Sequence, residues 1–307
     1  MNEQVENPFI EDENVDALSQ MCPTKAPGPD GLSIMFYQKH WHMVKARVIT
    51  TCLYILNMQG TIAPLNHTYM IPKTGKPRKV IDFRPISLCN VIYIIAVKSI
   101  ANRLKQILSK VISLTQSAFI FNRLITDNII IGYKCLHKIR HSRGKRNSLV
   151  ALKLHISKTY DRLEWSFLEQ TMLKLDFSQN WVSLIMRCIS SVSFFVIING
   201  MASGVIQPQR GLRQGCRLSP YLFIIRVEAF SSLLMQVEQQ KQIHGLSFGN
   251  GMRISHLLFV DDNLVFTRAS RKDCQNLKRI FYCYTATSRQ LFNYEKSSMF
   301  FSCNVQN

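Results

Sequence analysis

The sequence predicts an α+β protein in which several helices pack against an antiparallel sheet. Apolar residues make up 47% of the 307 residues, which is enough for a sizeable core in one large domain or two medium ones. In addition, short apolar strands alternate with amphipathic helices through the second half, and their connections are of the antiparallel type. Both observations favour the same fold class.

The second half supplies the clearest elements. A strand, two helices, a strand, a helix, a hairpin and a final helix are predicted in that order: "SLVALKL", "SFLEQTMLKLDF", "QNWVSLIMRCISSV", "SFFVIING", "SPYLFIIRVEAFSSLLMQVEQQ", "ISHLLFVDDNLVFTRA" and "RKDCQNLKRIFYCYTATSR". We expect the first of these strands to end at His155.

The first half is predicted to be more helical. A short helix is predicted within "NPFIEDENVDALSQM", a rigid turn occupies Lys25–Ser33, and helical spacing then continues to Gly60. Thr68–Ile81 is predicted to be a β-hairpin with a basic tip, followed by the amphipathic helix "SLCNVIYIIAVKSIANRLKQILSKVI" and by turn residues at Ser142–Asn147.

The charge of the chain indicates a polyanionic partner. Thirty-eight Lys and Arg residues against 19 Asp and Glu give a net charge of +19, and the first 18 residues are acidic while 71–84 and 134–146 are basic. The alternative is a generally basic protein without such a partner. An acidic N-terminus and the lack of an apolar run of about 18 residues predict neither a secretory signal nor a membrane span.

The cysteines indicate a reducing environment. Nine of them occur without a CxxC pair, so the sequence predicts neither a disulfide framework nor a zinc cluster. A cytosolic or nuclear setting is expected.

The stretch "LLFVDDNLVF" places two adjacent acids at the turn of an apolar hairpin. The carboxylates of Asp261 and Asp262 repel each other there, so the pair is expected to bind a cation. The alternative is an ordinary surface turn.

With these acids, the chain resembles the reverse transcriptases of LINE-type (non-LTR) retrotransposons, particularly those of plants. The resemblance covers nearly the whole chain in ordered blocks: "KAPGPDGL", "IPKTGKPRKVIDFRPISLCNVIY", "QSAFIFNRLITDN", "LKLHISKTYDRLEW", "INGMASGVIQPQRGLRQGCRLSPYLF", "HLLFVDDNLVF" and "SRQLFNYEKS". Their shared order makes the resemblance far more specific than any single block.

The resemblance implies a right-hand polymerase fold that copies RNA into DNA by two-metal nucleotidyl transfer with Mg²⁺. It implies an RNA template, a DNA primer and dNTPs as partners, a fingers-like region over 1–147 and a palm-like region over 148–307. The thumb is expected to be absent.

The resemblance also implies the site residues. The metal ligands of the family fall on Asp261 and Asp262 and on the position of His155, where the family has Asp. Tyr160 corresponds to the aromatic gate against a 2′-hydroxyl, with a core tyrosine as the alternative. Further nucleotide-contacting positions, of which the first three have a solvated hairpin tip as the alternative, are Lys73, Lys76, Arg78, Gln214, Gly215 and Lys296. Asn90, Asp127 and Asn128 are expected to be helix caps.

Two departures from the family matter. "RQGDPLSP" becomes "RQGCRLSP", with Cys216 and Arg217 replacing Asp and Pro in a loop. His155 is more serious, because a neutral imidazole suits Zn²⁺ better than Mg²⁺ and cannot bridge two cations as a carboxylate does. Asp161, expected at the start of the next helix and facing away, cannot replace the lost acid.

The sequence therefore predicts a reverse transcriptase domain with little or no activity. Three alternatives stay open: a zinc site at His155, a nucleic-acid-binding protein without catalysis, and a non-functional relic of a transposable element.

Overall fold

The computed structural model describes residues 1–72, 83–143, 148–198, 201–260 and 262–305. Within these residues the chain forms ten α-helices and eleven β-strands. The helices are α1 (Asn2–Glu6), α2 (Glu11–Ser19), α3 (Ile34–Lys39), α4 (Trp41–Leu56), α5 (Val91–Val111), α6 (Ile125–Arg140), α7 (Trp165–Lys174), α8 (Gln179–Ser190), α9 (Ser219–Gln239) and α10 (Arg271–Ser288).

The strands complete the list of elements. They are β1 (His67–Pro72), β2 (Phe83–Cys89), β3 (Leu149–Ser157), β4 (Ser193–Ile198), β5 (Met201–Ile206), β6 (Leu246–Ser247), β7 (Arg253–Ile254), β8 (His256–Phe259), β9 (Asp262–Arg268), β10 (Leu291–Phe292) and β11 (Ser298–Phe301). The predicted mixture of helices and sheet is present.

The chain divides into two compact units, each built from two separate stretches. The first unit contains Met1–Ile107 and Leu168–Leu222, and the second contains Leu108–Phe167 and Phe223–Asn307. The division of the sequence into a fingers-like and a palm-like region at residue 147 stays a prediction.

A four-stranded sheet in the order β2, β1, β4, β5 forms the centre of the first unit. β1 pairs antiparallel with β2 and parallel with β4. The strand that pairs with β1 is β2, which begins after Ile81, so the predicted end of the hairpin is wrong. Ser87–Cys89, predicted as the start of the helix, belong to β2, because this strand pairs with β1 as far as Cys89. The predicted basic tip lies within 73–82, outside the described residues.

A buried arginine ties the N-terminal segment to α5 in the first unit. The Arg103 guanidinium pairs with Glu13 at 2.6 Å and donates to the carbonyl oxygens of Val5 and Pro8. It also lies 3.6 Å from the centroid of the Phe9 ring. Because buried guanidinium groups need several acceptors, these contacts fix the course of the first residues.

The second unit is built on an antiparallel sheet in the order β10, β3, β9, β8, with β11 also paired to β3. Helix α6 covers part of this sheet through a core of Cys135, Ile139, Ala151, Leu257 and Phe266. Asp127 caps the first turn of α6 as predicted, because its carboxylate accepts from the backbone N–H of Leu124 at 3.3 Å.

The other two predicted caps are wrong. Asn128 instead donates to the carbonyl oxygens of Thr115 and Leu258, and so links a loop to β8. Asn90 precedes α5 as expected, but its Oδ1 atom is buried without a hydrogen-bond partner among the described residues.

A polar network lies in the core of the second unit. Ser231 is within 2.8 Å of both Ser113 and the Nε2 atom of His256, and Ser113 donates through its backbone N–H and its hydroxyl to Glu228. Burial raises the pKa of Glu228 to about 7 and lowers the pKa of His256 to about 4, because both charged forms lose their hydration.

Helix α9 is long and apolar enough to cross a membrane by length and composition alone. More than half of its most apolar window, 56%, is buried inside the protein, as is common for a core helix. It also carries the buried charged residues Arg226 and Glu228.

Candidate active site

The pairing of β3 with β9 brings the predicted site residues together. His155 lies directly opposite Asp262 in the antiparallel register, and its Nδ1 atom is 3.6 Å from Asp262 Oδ1. His155 is about three-quarters buried, whereas half of the Asp262 side chain is exposed. The structure therefore brings His155 and Asp262 next to each other, while their roles stay a prediction.

Asp262 is the first residue of β9, and it pairs with Phe259 of β8. Val260, just after β8, has a φ of 52°, a value that β-branched residues rarely adopt. Asp261 itself lies outside the described residues.

Lys153 is a site residue that the sequence analysis missed. Its ammonium lies 3.5 Å from the same Oδ1 atom of Asp262 that faces His155, and about half of both side chains is exposed. The alternation of side chains along a strand places Lys153 and His155 on one face, and this period could have identified it.

Strand β3 continues beyond His155 to Ser157, so the predicted strand end is wrong. The reason is a second set of partners: Ile156 and Ser157 pair with β10, and the carbonyl oxygen of His155 accepts from the backbone N–H of Asn293 at 2.8 Å. The backbone N–H of His155 donates to Ser297 Oγ at 3.2 Å.

These contacts place Lys296 on the segment that runs along the strand of His155. A short 3-10 turn, Tyr294–Lys296, holds the exposed lysine, and Asn293 Oδ1 accepts from its backbone N–H at 3.2 Å.

Tyr160 follows the strand and is half-buried. Its ring stacks on Phe223 with a centroid distance of 5.3 Å and an interplanar angle of 8°. Asp161 is exposed in a turn, since α7 begins only at Trp165, and the expectation that it starts the helix is wrong. The turn begins at Lys158, which has a φ of 47°.

Gln214 and Gly215 belong to the first unit. Gly215 is exposed and has a φ of 85°, a left-handed conformation that favours glycine. The preceding Arg213 is buried, donates to Asn66 and Cys89, and lies 4.9 Å from the Tyr93 ring centroid. Lys73, Lys76 and Arg78 lie outside the described residues.

The described donor atoms at the β3–β9 pair do not by themselves fit a Mg²⁺ ion, and the other predicted ligand, Asp261, lies outside the described residues. One carboxylate faces an imidazole and an ammonium, whereas Mg²⁺ requires oxygen ligands in near-octahedral geometry. Across the described ranges, no group of three or more His, Cys, Asp or Glu side chains is arranged to hold a metal ion.

Comparison with known proteins then decides the family. Residues 71–305 match the family described as "Reverse transcriptase (RNA-dependent DNA polymerase)". The chain belongs to the reverse transcriptase family.

Relatives of this reverse transcriptase domain include proteins of transposable elements. It is 31% identical over 307 residues to the transposon TX1 uncharacterized 149 kDa protein of Xenopus laevis, a match that covers 96% of this chain and 22% of that protein. It is 27% identical over 205 residues to the Pol polyprotein of the type-2 retrotransposable element R2DM of Drosophila melanogaster, covering 67% of this chain and 19% of that protein. The chain therefore spans about a fifth of the length of these two relatives.

Two further similarities are more limited. An uncharacterized mitochondrial protein of Arabidopsis thaliana is 49% identical over 67 residues, which covers 22% of this chain and 55% of that protein. The solved structure of a truncated apo telomerase from Candida tropicalis has a TM-score of 0.43 and 13% identity, over 87% of this chain and 42% of that one.

Proposed function

We propose that this reverse transcriptase domain binds an RNA template, a DNA primer and dNTPs, and that its nucleotidyl transfer is impaired at His155. The observation that carries the proposal is the register of β3 and β9, which sets the His155 imidazole opposite Asp262, where the family has Asp. We also propose that residues 1–147 form a fingers-like region and that residues 148–307 form a palm-like region.

Charge explains the impairment. The family's two-metal reaction depends on carboxylates that hold two Mg²⁺ ions, and here one of the three acids is an uncharged or positively charged imidazole. Each loss of about 1.4 kcal/mol in transition-state stabilisation slows the reaction roughly tenfold.

The remaining nucleotide-contacting residues keep their proposed roles. Tyr160 is held by its stack on Phe223 and would exclude a 2′-hydroxyl. Gly215 would allow close approach to the nucleotide beside Gln214, and Lys296 would lie near the leaving pyrophosphate. The proposed triphosphate contacts are Lys73, Lys76 and Arg78.

Primer extension on an RNA template with Mg²⁺ tests the proposal. We expect little extension by the unmodified protein and at least a tenfold increase for His155→Asp, which restores the acid. His155→Asn is the matched control, since it changes the same position without adding charge and is expected to stay inactive. Robust extension by the unmodified protein, or no gain in a folded His155→Asp variant, contradicts the impairment.

A binding titration separates the two alternatives to a polymerase. Nucleic acid bound with a steep salt dependence, but never extended by His155→Asp, would indicate a binding protein without catalysis. Failure of both binding and extension would indicate a relic.

A further inference from the structure

A small cavity in the first unit lies where the loop of Gly215 meets the start of α5. Its volume is about 230 Å³, and its lining is mostly apolar. Lys25 and Arg217 are the charged residues of the lining, which also includes Tyr93, Gly215 and Cys216. Typical small-molecule pockets have about 300–1,000 Å³. The cavity is therefore smaller than a typical small-molecule pocket, and we expect it to take a single charged group.

The charged side chains at this cavity are all positive. Lys25 is exposed and Arg217 is half-buried, and neither forms an ion pair with any carboxylate among the described residues. Lys98 belongs to the same group of cations: burial, followed by the charge of Arg217, lowers the pKa of both Lys25 and Lys98. An anion would relieve this mutual repulsion.

The start of helix α5 lies at the cavity. The helix begins at Val91, and its first-turn residues Tyr93 and Ile94 line the cavity. The N-terminus of a helix carries a partial positive charge, which favours an anion nearby.

The sequence departs from the family at this point. Where the resembling family has Asp and Pro, this chain has Cys216 and Arg217, so one negative charge is lost and one positive charge is gained. The departure at first suggests only a less rigid loop. In the structure, both residues line a cavity that already contains Lys25.

We propose that this cavity binds a phosphate group of a nucleic-acid strand, with Arg217 and Lys25 as its main contacts. The choice of nucleic acid as the source rests on the proposed function, whereas the affinity for phosphate rests on the cavity alone. Arg217 is the specific contribution of this chain, since the family has an uncharged residue at that position.

Charge-neutralising variants test the proposal in the full chain. Arg217→Gln and Lys25→Gln are compared with Lys174→Gln, which removes the same charge from an exposed position at the end of α7. The probes are a single-stranded RNA of about 20 nucleotides, titrated at several salt concentrations, and inorganic pyrophosphate.

We expect Arg217→Gln to weaken RNA binding roughly tenfold at low salt, which corresponds to about 1.4 kcal/mol. The slope of log affinity against log salt should become shallower by about 0.7, the value for one phosphate contact to a single strand. Lys174→Gln should change neither quantity.

The two probes distinguish the source of the phosphate. Weakening with RNA alone indicates a strand phosphate, and weakening with both probes indicates a site that also accepts free phosphate. An effect on pyrophosphate alone, or equal affinities of Arg217→Gln and Lys174→Gln for both probes, overturns the proposal.

Circular dichroism and thermal unfolding establish that each variant folds. If Arg217→Gln does not fold, the exposed Lys25→Gln variant carries the same test. Because the readout is binding, failure of the His155→Asp extension assay leaves this result unaffected, so the two proposals fail separately.

Discussion

His155 and Asp262 face each other across the β3–β9 pair, with Nδ1 and Oδ1 3.6 Å apart. Directly opposite residues on neighbouring strands interact and so contribute to the stability of a sheet. A substitution in this pair should therefore change both the stability of the sheet and the binding of cations between its strands.

His155→Asp should make the stability of the protein depend on Mg²⁺. Two carboxylates then face each other, and like charges at this spacing destabilise a sheet by roughly 0.2–1 kcal/mol. We expect a lower melting temperature in EDTA and recovery with Mg²⁺, measured by thermal unfolding. The melting temperature of His155→Asn should change with neither EDTA nor Mg²⁺. If the melting temperature of His155→Asp does not change with Mg²⁺, the strands do not present both carboxylates to one ion.

Glu228→Gln should stabilise the protein at alkaline pH. Burial raises the pKa of Glu228 to about 7, opposed by hydrogen bonds from Ser113, so the folded state holds the proton more strongly than the unfolded state. The protonated Glu228 therefore contributes to the free energy of unfolding. This contribution is complete below about pH 4.5 and is lost as the pH rises through about 7.

The measurement is urea unfolding of the wild type and Glu228→Gln at pH 5 and pH 8. Because each pKa unit corresponds to about 1.4 kcal/mol, the variant should gain up to about 3 kcal/mol at pH 8 and little at pH 5. Glu295→Gln, which removes an exposed carboxylate in the same unit, is the control. An equal gain at both pH values would refute the assignment to titration.

Arg226→Met should stabilise the second unit. The guanidinium is fully buried and donates to the Tyr284 hydroxyl at 2.8 Å, while its Nε and Nη1 atoms have no hydrogen-bond partner among the described residues. Desolvation of a buried charge is costly, and replacing buried ion pairs by apolar side chains of similar volume is often neutral or stabilising by about 1–4 kcal/mol.

Denaturant unfolding at pH 7 checks this expectation, with Tyr284→Phe as the opposite change. Loss of the hydroxyl removes the acceptor of Arg226 and should destabilise the protein. A lower stability of Arg226→Met would mean that the stacking of this guanidinium on Phe223 and Tyr284, at 5.0 and 5.8 Å from the ring centroids, outweighs its desolvation.

Gly28→Ala should strongly destabilise the first unit. A Cβ atom on Gly28 would lie 2.6 Å from the backbone nitrogen of Asn90 and closer still to the carbonyl of Cys89. Relief of this clash would require the backbone of Gly28 or that of Cys89 and Asn90 to move. Such overpacking typically costs about 1–3 kcal/mol or more. Gly249→Ala, where nothing lies within 4 Å, should be nearly neutral in the same thermal unfolding experiment.

Local patterns predicted most of the long elements. The apolar periodicity of α5 and α10 and the alternation around β8 and β9 were sufficient, because each of these segments buries one continuous face. β5, β10 and β11 were missed. β10 has only two residues, and all four side chains of β11 are exposed, so neither carries a recognisable alternation.

The site could be predicted only in part. The motif order identified His155 and Asp262, whereas their distance depends on a register between strands that are remote in the sequence. The same limitation applies to the stack of Tyr160 on Phe223 and to the cations around Arg217, since these contacts join segments without any local signature. Lys153 is different, because the strand period alone could have revealed it.

The position of β3 in its sheet also affects synthesis on the ribosome. The ribosome makes this apolar strand about a hundred residues before its partner β9. The other partner, β11, follows later still. At roughly 5–20 residues per second, β3 waits on the order of ten seconds with unpaired edges. Slow translation or low temperature would lengthen this interval, so yield in a cellular host should depend on chaperones that shield nascent strands.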